Sequence, residues 1–421
     1  MRVILPQPFA ATRLAVFLLI VARPAAAQDV EAAPPPPPQP ATRAEVAAAE
    51  RDAKSTQLAP YLPGRLERTL IWIENDRVLE RLLNPAEGFY PKLGTVTPGG
   101  GFALGPAYRR PEIFGGPVAF SAFAMGSLKK YWLLDAKLTF GDALEGRVFG
   151  DVHGQRSDFP SEDFFGLGPA SDRRDHVKFG LSNRVLGASG GVRATPWLTV
   201  SARIDRLSPE VGEGDGGRPI ERLFDAAEAP GLEGQPDFLK YELAAEVNYR
   251  EPRGNPRKGG RYALTLQQFD DRDTGRYDFQ RVEADLQQYI SLYKERRVLA
   301  LHALVSMSDA EEGGEVPFYF QRTLGGPDDL RGFRRFRFRD RNLLLLQAEY
   351  RWEIFTAVDG AIFYDTGKVA SRSEDLTLDD LESNYGIGFR FGTSNGIFLR
   401  IEGAFGSAGG KHYVFRFGHV F

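Results

Sequence analysis

The chain has 421 residues, a formal net charge of −3, no cysteine, 46 glycines and 12% aromatic residues. The near balance of basic and acidic residues does not indicate a nucleic-acid-binding protein, and the lack of cysteine excludes disulfides, thiolate metal sites and cysteine nucleophiles. No apolar run reaches the roughly 18 residues that a membrane helix needs, which excludes a helical membrane protein. A membrane β-barrel remains compatible with this hydropathy because its strands are only half apolar.

Residues 1–27 have the order of a secretory signal peptide. Arg2 and Arg13 flank the start, a short apolar stretch runs from Leu14 to Val21, and small residues from Ala25 to Ala27 precede Gln28. We therefore expect export and cleavage, with the mature chain beginning at Gln28. The alternative is an anchor that is not cleaved.

Two different segments follow the predicted signal peptide. Residues 28–60 are rich in proline and alanine, with consecutive prolines from Pro34 to Pro38, and are predicted to form a disordered, extended linker. Residues 61–88 carry apolar side chains at roughly helical spacing between charges, which predicts a short amphipathic helical segment. This segment is interpreted as a periplasmic docking helix, with a plug inside a pore as the alternative.

From residue 89 to residue 421 the apolar period changes to two, which is typical of β-strands. Between Phe238 and Arg250 the odd-numbered side chains are mostly apolar and the even-numbered ones mostly polar. The segment from Leu343 to Ile354 alternates in the same way, and so does the one from Ile397 to Phe405. One face of each strand therefore meets an apolar medium and the other face a polar one.

About sixteen such strands can be counted, and short turns alternate with longer connections. The longest connections are 160–175, 212–236 and 310–342. A soluble sandwich would also alternate, but here aromatic residues lie near strand ends, as in the interfacial girdles of membrane barrels. Backbone groups in lipid must all be paired, so a membrane sheet has to close. The predicted fold is an all-β transmembrane antiparallel barrel of about 16 strands over residues 89–421, after a short helical and disordered periplasmic segment.

A motif in the longest connection carries a family resemblance. Leu330, Arg331, Gly332 and Phe333 resemble the motif in the sixth extracellular loop of the Omp85 superfamily, the BamA, TamA and surface-antigen barrels. Further matches follow in the family's order: the strand with Glu349, the Phe363 to Val369 strand, and the closing hairpin around Gly386 to Phe398. The stretch from Phe164 to Gly168 also resembles a loop motif of short surface-antigen barrels.

The resemblance implies that the loop is held inside the barrel by an ion-pair lock. Glu349 lies on the polar face of its strand and therefore points into the lumen, whereas the pattern alone leaves the direction of Asp365 less certain. The family's loop-to-wall contact implies that Arg331 pairs with Glu349 and Asp365, and a guanidinium can bind carboxylates in bidentate fashion. The alternative is that Arg331 is a solvated loop charge.

The resemblance also implies a destination and partners. Tyr413, Phe415, Phe417 and Phe421 resemble the family's C-terminal assembly signal, which the outer-membrane assembly machinery uses for the barrel's own insertion. The expected location is the outer membrane of a Gram-negative bacterium, in contact with its lipids and with possible unfolded outer-membrane protein clients. The implied activity is outer-membrane protein insertion or polypeptide translocation, through a lateral seam between the first and last strands. No cofactor, metal or nucleic acid is expected.

Three alternatives stay open: a porin-like diffusion channel, a barrel without insertase activity, and a membrane enzyme. The enzyme is disfavoured because the Gly187 to Gly191 stretch fits a nucleophile-elbow pattern around Ser189 but lacks the strand, turn and helix that an elbow needs. The sequence between Gln28 and Phe89 is also too short for one of the family's periplasmic POTRA modules. That departure puts the capture of clients in doubt.

Overall fold

The computed structural model describes residue 49 and residues 85–113, 115–143, 146–355, 357–393, 396–406 and 410–416. The predicted signal peptide, the linker apart from Ala49, and the predicted helical segment apart from its last four residues lie outside this part of the chain. No helix within the described residues is long and apolar enough to cross a membrane.

The described chain forms one 16-stranded sheet in which every strand pairs antiparallel with its neighbour in chain order, which confirms the predicted fold class. The first eight strands are β1 Gly88–Gly94, β2 Ala103–Ile113, β3 Val118–Ser127, β4 Trp132–Ala143, β5 Val148–Phe164, β6 Val177–Thr195, β7 Leu198–Glu213 and β8 Phe238–Asn248. The other eight are β9 Gly259–Asp271, β10 Phe279–Tyr293, β11 Arg297–Ala310, β14 Asn342–Phe355, β15 Val358–Ala370, β16 Glu382–Thr393, β17 Gly396–Gly406 and β18 Gly410–Arg416. Two short strands, β12 Arg322–Leu324 and β13 Phe338–Asp340, pair with each other between β11 and β14.

The two faces of the strands differ as the alternation predicts. Outward-facing apolar side chains are exposed, for example Leu243 in β8 and Leu264 in β9. Inward-facing polar side chains in β14 are buried, including Glu349 and Arg351. A broad apolar outer surface of this kind needs a hydrocarbon environment, since soluble monomers rarely expose large apolar patches.

The connections between strands differ at the two ends of the barrel, which we call the turn end and the loop end. The connections predicted to be longest all lie at the loop end, but the strands extend into two of them. β5 continues to Phe164 and β7 to Glu213, so the predicted connections beginning at Pro160 and Gly212 start too early. The reason is that these residues keep pairing with β6, after a register shift between Phe159 and Glu162.

The loop end carries a hydrophobic core of its own. Phe164 and Phe179, at the ends of β5 and β6, pack edge-on against Phe318, which belongs to the connection between β11 and β14. Gly166 and Gly168 adopt positive φ, and the amide of Gly168 donates to the carbonyl of Arg339 at 2.8 Å. The stretch from Phe164 to Gly168 thus contacts both ends of the connection that carries the Arg331 motif.

Candidate functional site

The connection between β11 and β14, residues 311–341, is called the long loop here. Its β12–β13 hairpin contacts β14 and β15, and Leu330 and Phe333 are buried in an apolar cluster with Leu343, Leu345 and Val369 of the barrel wall. Burial of apolar side chains of this size is worth about 1.5–3 kcal/mol each. The loop is therefore packed against the wall and not spread over the barrel mouth.

Arg331 lies at the centre of this packing, with no exposed side-chain surface. Its Nε and Nη2 donate to the two oxygens of Asp365 at 2.8 and 2.6 Å. Its Nη1 donates to Glu349 at 3.0 Å and to Glu402 at 2.9 Å. The guanidinium carbon also lies 3.4 Å from the centre of the Phe363 ring. The structure therefore brings the predicted arginine together with both predicted carboxylates, and Asp365 points into the lumen.

Glu402 is a third carboxylate of the cluster, and the sequence did not identify it as a partner of Arg331. Its place on the polar face of β17 indicated a lumen-facing side chain, but its contact with Arg331 joins β17 to a loop residue 71 positions earlier in the sequence. Three further arginines complete what we call the lumen network. The network consists of Arg331, Arg351, Arg390, Arg400, Glu349, Asp365 and Glu402, all with at most 2% exposure.

Each carboxylate of the lumen network has several donors. Glu349 accepts from Arg351 Nε at 2.6 Å and from Nε and Nη2 of Arg390 as well as from Arg331. Glu402 accepts from Arg390 at 2.8 Å and from Arg400 at 3.1 Å. Buried charges are tolerated only when paired and hydrogen-bonded, and this shared arrangement meets that condition.

Asp365 differs from the two glutamates in its partners. Arg331 donates to Asp365 through its guanidinium and, at 3.4 Å, through its backbone N–H. The other donors to Asp365 are the neutral side-chain amides of Asn384 at 2.8 Å and Gln347 at 3.2 Å. Gln347 also donates to the backbone carbonyl of Asp329 at 2.9 Å, which ties the loop backbone to β14. Loss of Arg331 would therefore affect Asp365 more than the other carboxylates.

Gly332 allows the close approach of the loop to the wall. A Cβ at this position would lie 2.6 Å from the Cβ of Asn384 and 2.7 Å from the amide nitrogen of Gly406. Both distances are shorter than any ordinary contact, and Gly406 offers only backbone there. A larger residue would push the loop away from β16 and β17.

Asp328 and Asp329 precede the motif. Asp328 pairs with Arg400 at 3.1 Å and with Arg416 at 2.8 Å. Asp329 lies beside the network, where burial and the neighbouring Asp328 carboxylate raise the pKa of Asp329 to about 7. Part of the loop charge is thus sensitive to pH near neutrality.

The predicted C-terminal assembly residues are only partly described. Tyr413 and Phe415 lie on the outward face of β18 with exposures of 76% and 73%. Phe417 and Phe421 lie outside the described residues. The assembly role of all four stays a prediction.

Ser189 lies in the middle of β6, which pairs with β5 and β7 on its two sides. Its hydroxyl donates to Asp151 at 2.5 Å, and the nearby His153 is held between Asp151 and Asp205 at 2.8 and 2.9 Å. The serine is therefore paired to a carboxylate within a regular strand, not placed on the sharp turn that a nucleophile elbow requires. Over the described residues, no group of three His, Asp or Glu side chains is arranged to hold a metal ion.

The comparisons with known proteins agree with this architecture. Residues 202–411, which include every member of the lumen network, match the model of the Omp85 superfamily domain. The chain carries an Omp85 superfamily domain. No protein among the curated ones matches the chain.

Solved Omp85-like structures resemble the chain in fold at low sequence identity. BamA from Haemophilus ducreyi lacking POTRA domains 1–3 is 13% identical, with a TM-score of 0.59 over 79% of this chain and 69% of that chain. CdiB from Escherichia coli is 13% identical, with a TM-score of 0.48 over 78% of this chain and 59% of that one. CdiB from Acinetobacter baumannii is 11% identical, with a TM-score of 0.46 over 79% of this chain and 59% of that one. At these identities the likeness to BamA shows the shared barrel fold.

Proposed function

We propose that this Omp85 barrel resides in the outer membrane of a Gram-negative bacterium and assists the insertion or translocation of other polypeptides. In this proposal the barrel makes and breaks no covalent bonds. It presents unpaired strand edges and a protected surface to the client polypeptide at the membrane. Lipids and unfolded outer-membrane proteins are its partners, and the assembly machinery of the outer membrane inserts the barrel itself.

The observation that carries this proposal is the long loop bound to the lumen wall. Arg331 and its three carboxylates are fully buried, so this part of the lumen is filled by protein. A porin-like diffusion channel needs an open aqueous lumen. A filled lumen therefore favours a barrel that acts through the strands of its wall over one that conducts solutes through its lumen.

The arrangement of the strands supports the same proposal. Within the described residues, β1 and β18 are the two ends of the sheet, and no ladder joins them. Strand edges with unpaired backbone groups can pair with an added strand. A client strand could therefore be accepted between β1 and β18 while the long loop keeps the lumen filled.

The test is reconstitution of the full chain into lipid vesicles, followed by the folding of an unfolded outer-membrane client added from outside. The control is an unrelated barrel at the same density, because any folded barrel perturbs the bilayer. The proposal predicts faster client folding than the control. Equal rates, together with a large and steady single-channel conductance, would instead support the diffusion channel. Equal rates without conductance would support a barrel that has lost insertase activity.

A further inference from the structure

Residues 328–335 of the long loop contact both ends of the 16-stranded sheet, and we call them the bridging segment. Arg331, in the middle of the segment, is held by β14, β15 and β17. The residues on either side of it reach in opposite directions, towards β18 on one side and towards the connection after β1 on the other. The contacts of Arg335 involve no member of the lumen network, whereas Asp328 shares Arg400 with Glu402 of that network.

The first set of contacts, made by Asp328, is with the C-terminal end of the sheet. The Oδ1 of Asp328 accepts from Arg400 of β17 at 3.1 Å, and its Oδ2 lies 2.8 Å from Nη2 of Arg416 of β18. Arg416 is the last residue of β18. One carboxylate thus ties the final strand, and its neighbour, to the loop through charge-assisted contacts, which are stronger than neutral hydrogen bonds.

The second set of contacts, made by Arg335, is with the N-terminal end of the sheet. Arg335 donates to the carbonyl of Pro98, in the connection between β1 and β2, at 2.6 Å. It also donates to the carbonyl of Ser161 at 2.8 Å and to Glu162 at 3.2 Å, both at the end of β5. Gly99 has a φ of +79°, and a Cβ there would lie 2.6 Å from Cδ of Arg335. The connection after β1 is therefore shaped around this arginine.

The backbone itself offers few donors at the free edge of β1. Pro91 lies directly opposite Pro106 of β2. Residues opposite each other in an antiparallel pair exchange either two N–H donors or none, and proline has no N–H. The nitrogen of Pro91 must therefore face away from β2, towards the free edge, as the amides of Phe89 and Leu93 also do. The central donor of this seven-residue strand edge is missing.

The pairing on the other side of β2 agrees with this geometry. The β2–β3 ladder stops after Leu104 opposite Gly126 and resumes at Ala107 opposite Phe123. This gap falls at Pro106, whose nitrogen faces β3 when that of Pro91 faces the free edge. The first strands are thus joined by an interrupted backbone ladder.

We infer that Asp328 and Arg335 form a latch that holds the two ends of the sheet together through the bridging segment, and that release of either residue lets β1 and β18 separate. Side-chain contacts of the loop thus hold β1 and β18 together where the edge of β1, interrupted by Pro91, offers few backbone hydrogen bonds. The latch rests on the proposed function only in its purpose, which is to control access of a client strand to the seam. Its existence can be measured without any client.

Spin labels placed across the seam test the latch directly. The natural chain has no cysteine, so labels on Leu93→Cys in β1 and Tyr413→Cys in β18 have no background, and both positions face outward. Pulsed electron–electron double resonance then gives the distribution of distances between the two strands in vesicles. We expect Asp328→Asn and Arg335→Gln each to raise the share of long distances about fivefold or more.

Arg372→Gln is the matched control for loss of an arginine, because Arg372 pairs with Asp375 inside one exposed connection. It should leave the distances unchanged. Folding of each variant is checked by its heat-dependent shift in gel mobility, and if one latch variant does not fold, the other decides. Protection of the Arg331 peptide bond from trypsin should persist, since the Arg331 lock is intact.

Distances in both folded latch variants that match the wild type would overturn the inference. Loss of tryptic protection together with the change in distances would also overturn it, because the loop would then have left the lumen as a whole. A distance change without any acceleration of client folding by the wild type would leave the latch standing and refute the proposed function.

Discussion

The Arg331→Ala substitution removes four charge-assisted hydrogen bonds from a fully buried site. Glu349 would keep Arg351 and Arg390, and Glu402 would keep Arg390 and Arg400. Asp365 would keep the side-chain amides of Gln347 and Asn384 and the backbone N–H of residue 331, and none of these donors carries a charge. The cost is therefore dominated by one carboxylate left without a cation, and breaking such a buried pair costs about 3–5 kcal/mol.

This reasoning also predicts how a second substitution behaves. Asp365→Asn removes the charge that Arg331→Ala leaves unpaired, so the double variant should be no less stable than Arg331→Ala alone. Its loss in free energy of unfolding should therefore be much smaller than the sum of the losses of the two single variants. Arg331→Lys keeps a charge but not the bidentate geometry and should fall between wild type and Arg331→Ala.

Stability is measured by urea unfolding of the barrel in lipid vesicles, followed by the shift in gel mobility. Trypsin reports on the loop itself, because the long loop carries several arginines that are buried in the folded protein, including Arg331, Arg337 and Arg339. Arg331→Ala should lower the unfolding midpoint and expose the remaining arginines to cleavage, whereas Arg372→Ala should change neither. An Arg331→Ala barrel with the wild-type midpoint and the wild-type tryptic pattern would refute the lock.

Three further predictions concern residues around the lock. Gly332→Val should expose the long loop to trypsin although every ion-pair partner is still present, because the valine side chain would collide with Asn384 and the backbone of Gly406. Protection equal to wild type would contradict this and show that β16 and β17 can shift to accommodate the side chain. Glu402→Gln should destabilise the barrel less than Arg331→Ala, because Arg331 keeps Asp365 and Glu349, and equal urea midpoints for the two variants would contradict this order. The pKa of Asp329 is raised from its usual 3.8 to about 7 in the folded protein, so the folded form holds an extra proton between these values. The urea midpoint should therefore fall as the pH rises from about 4 to about 7 and level off above that. Asp329→Asn should flatten this profile, and an unchanged profile would assign the pH dependence to another group.

The strands could be predicted from sequence because the two sides of a barrel wall impose a period of two on the residues. Gln347, Glu349 and Arg351 alternate with Leu346, Ala348 and Tyr350, and the structure confirms that the first three face inward and are buried. The ends of β5 and β7 were less predictable. Glu162 and Gly212 occur in polar, glycine-containing sequence typical of loops, but a neighbouring strand long enough to pair with them keeps them in the sheet.

The lumen network was only partly predictable for a physical reason. The resemblance pointed to Arg331, Glu349 and Asp365, and these three lie together. Glu402 and Arg390 carried no comparable signal, because their contacts depend on strand register and on the curvature that brings β17 towards the loop. The partners of Asp328 were not predictable for the same reason, since Arg400 and Arg416 are about 70 to 90 positions away in sequence.

The most direct test of the account compares the rate of client folding in vesicles that contain wild type, Asp328→Asn or Arg372→Gln at equal density. If the seam between β1 and β18 admits the client and the latch limits its opening, Asp328→Asn should accelerate client folding beyond wild type, and Arg372→Gln should match wild type. Equal rates for all three, at the level of an unrelated barrel, would contradict the claim that this barrel works through its seam.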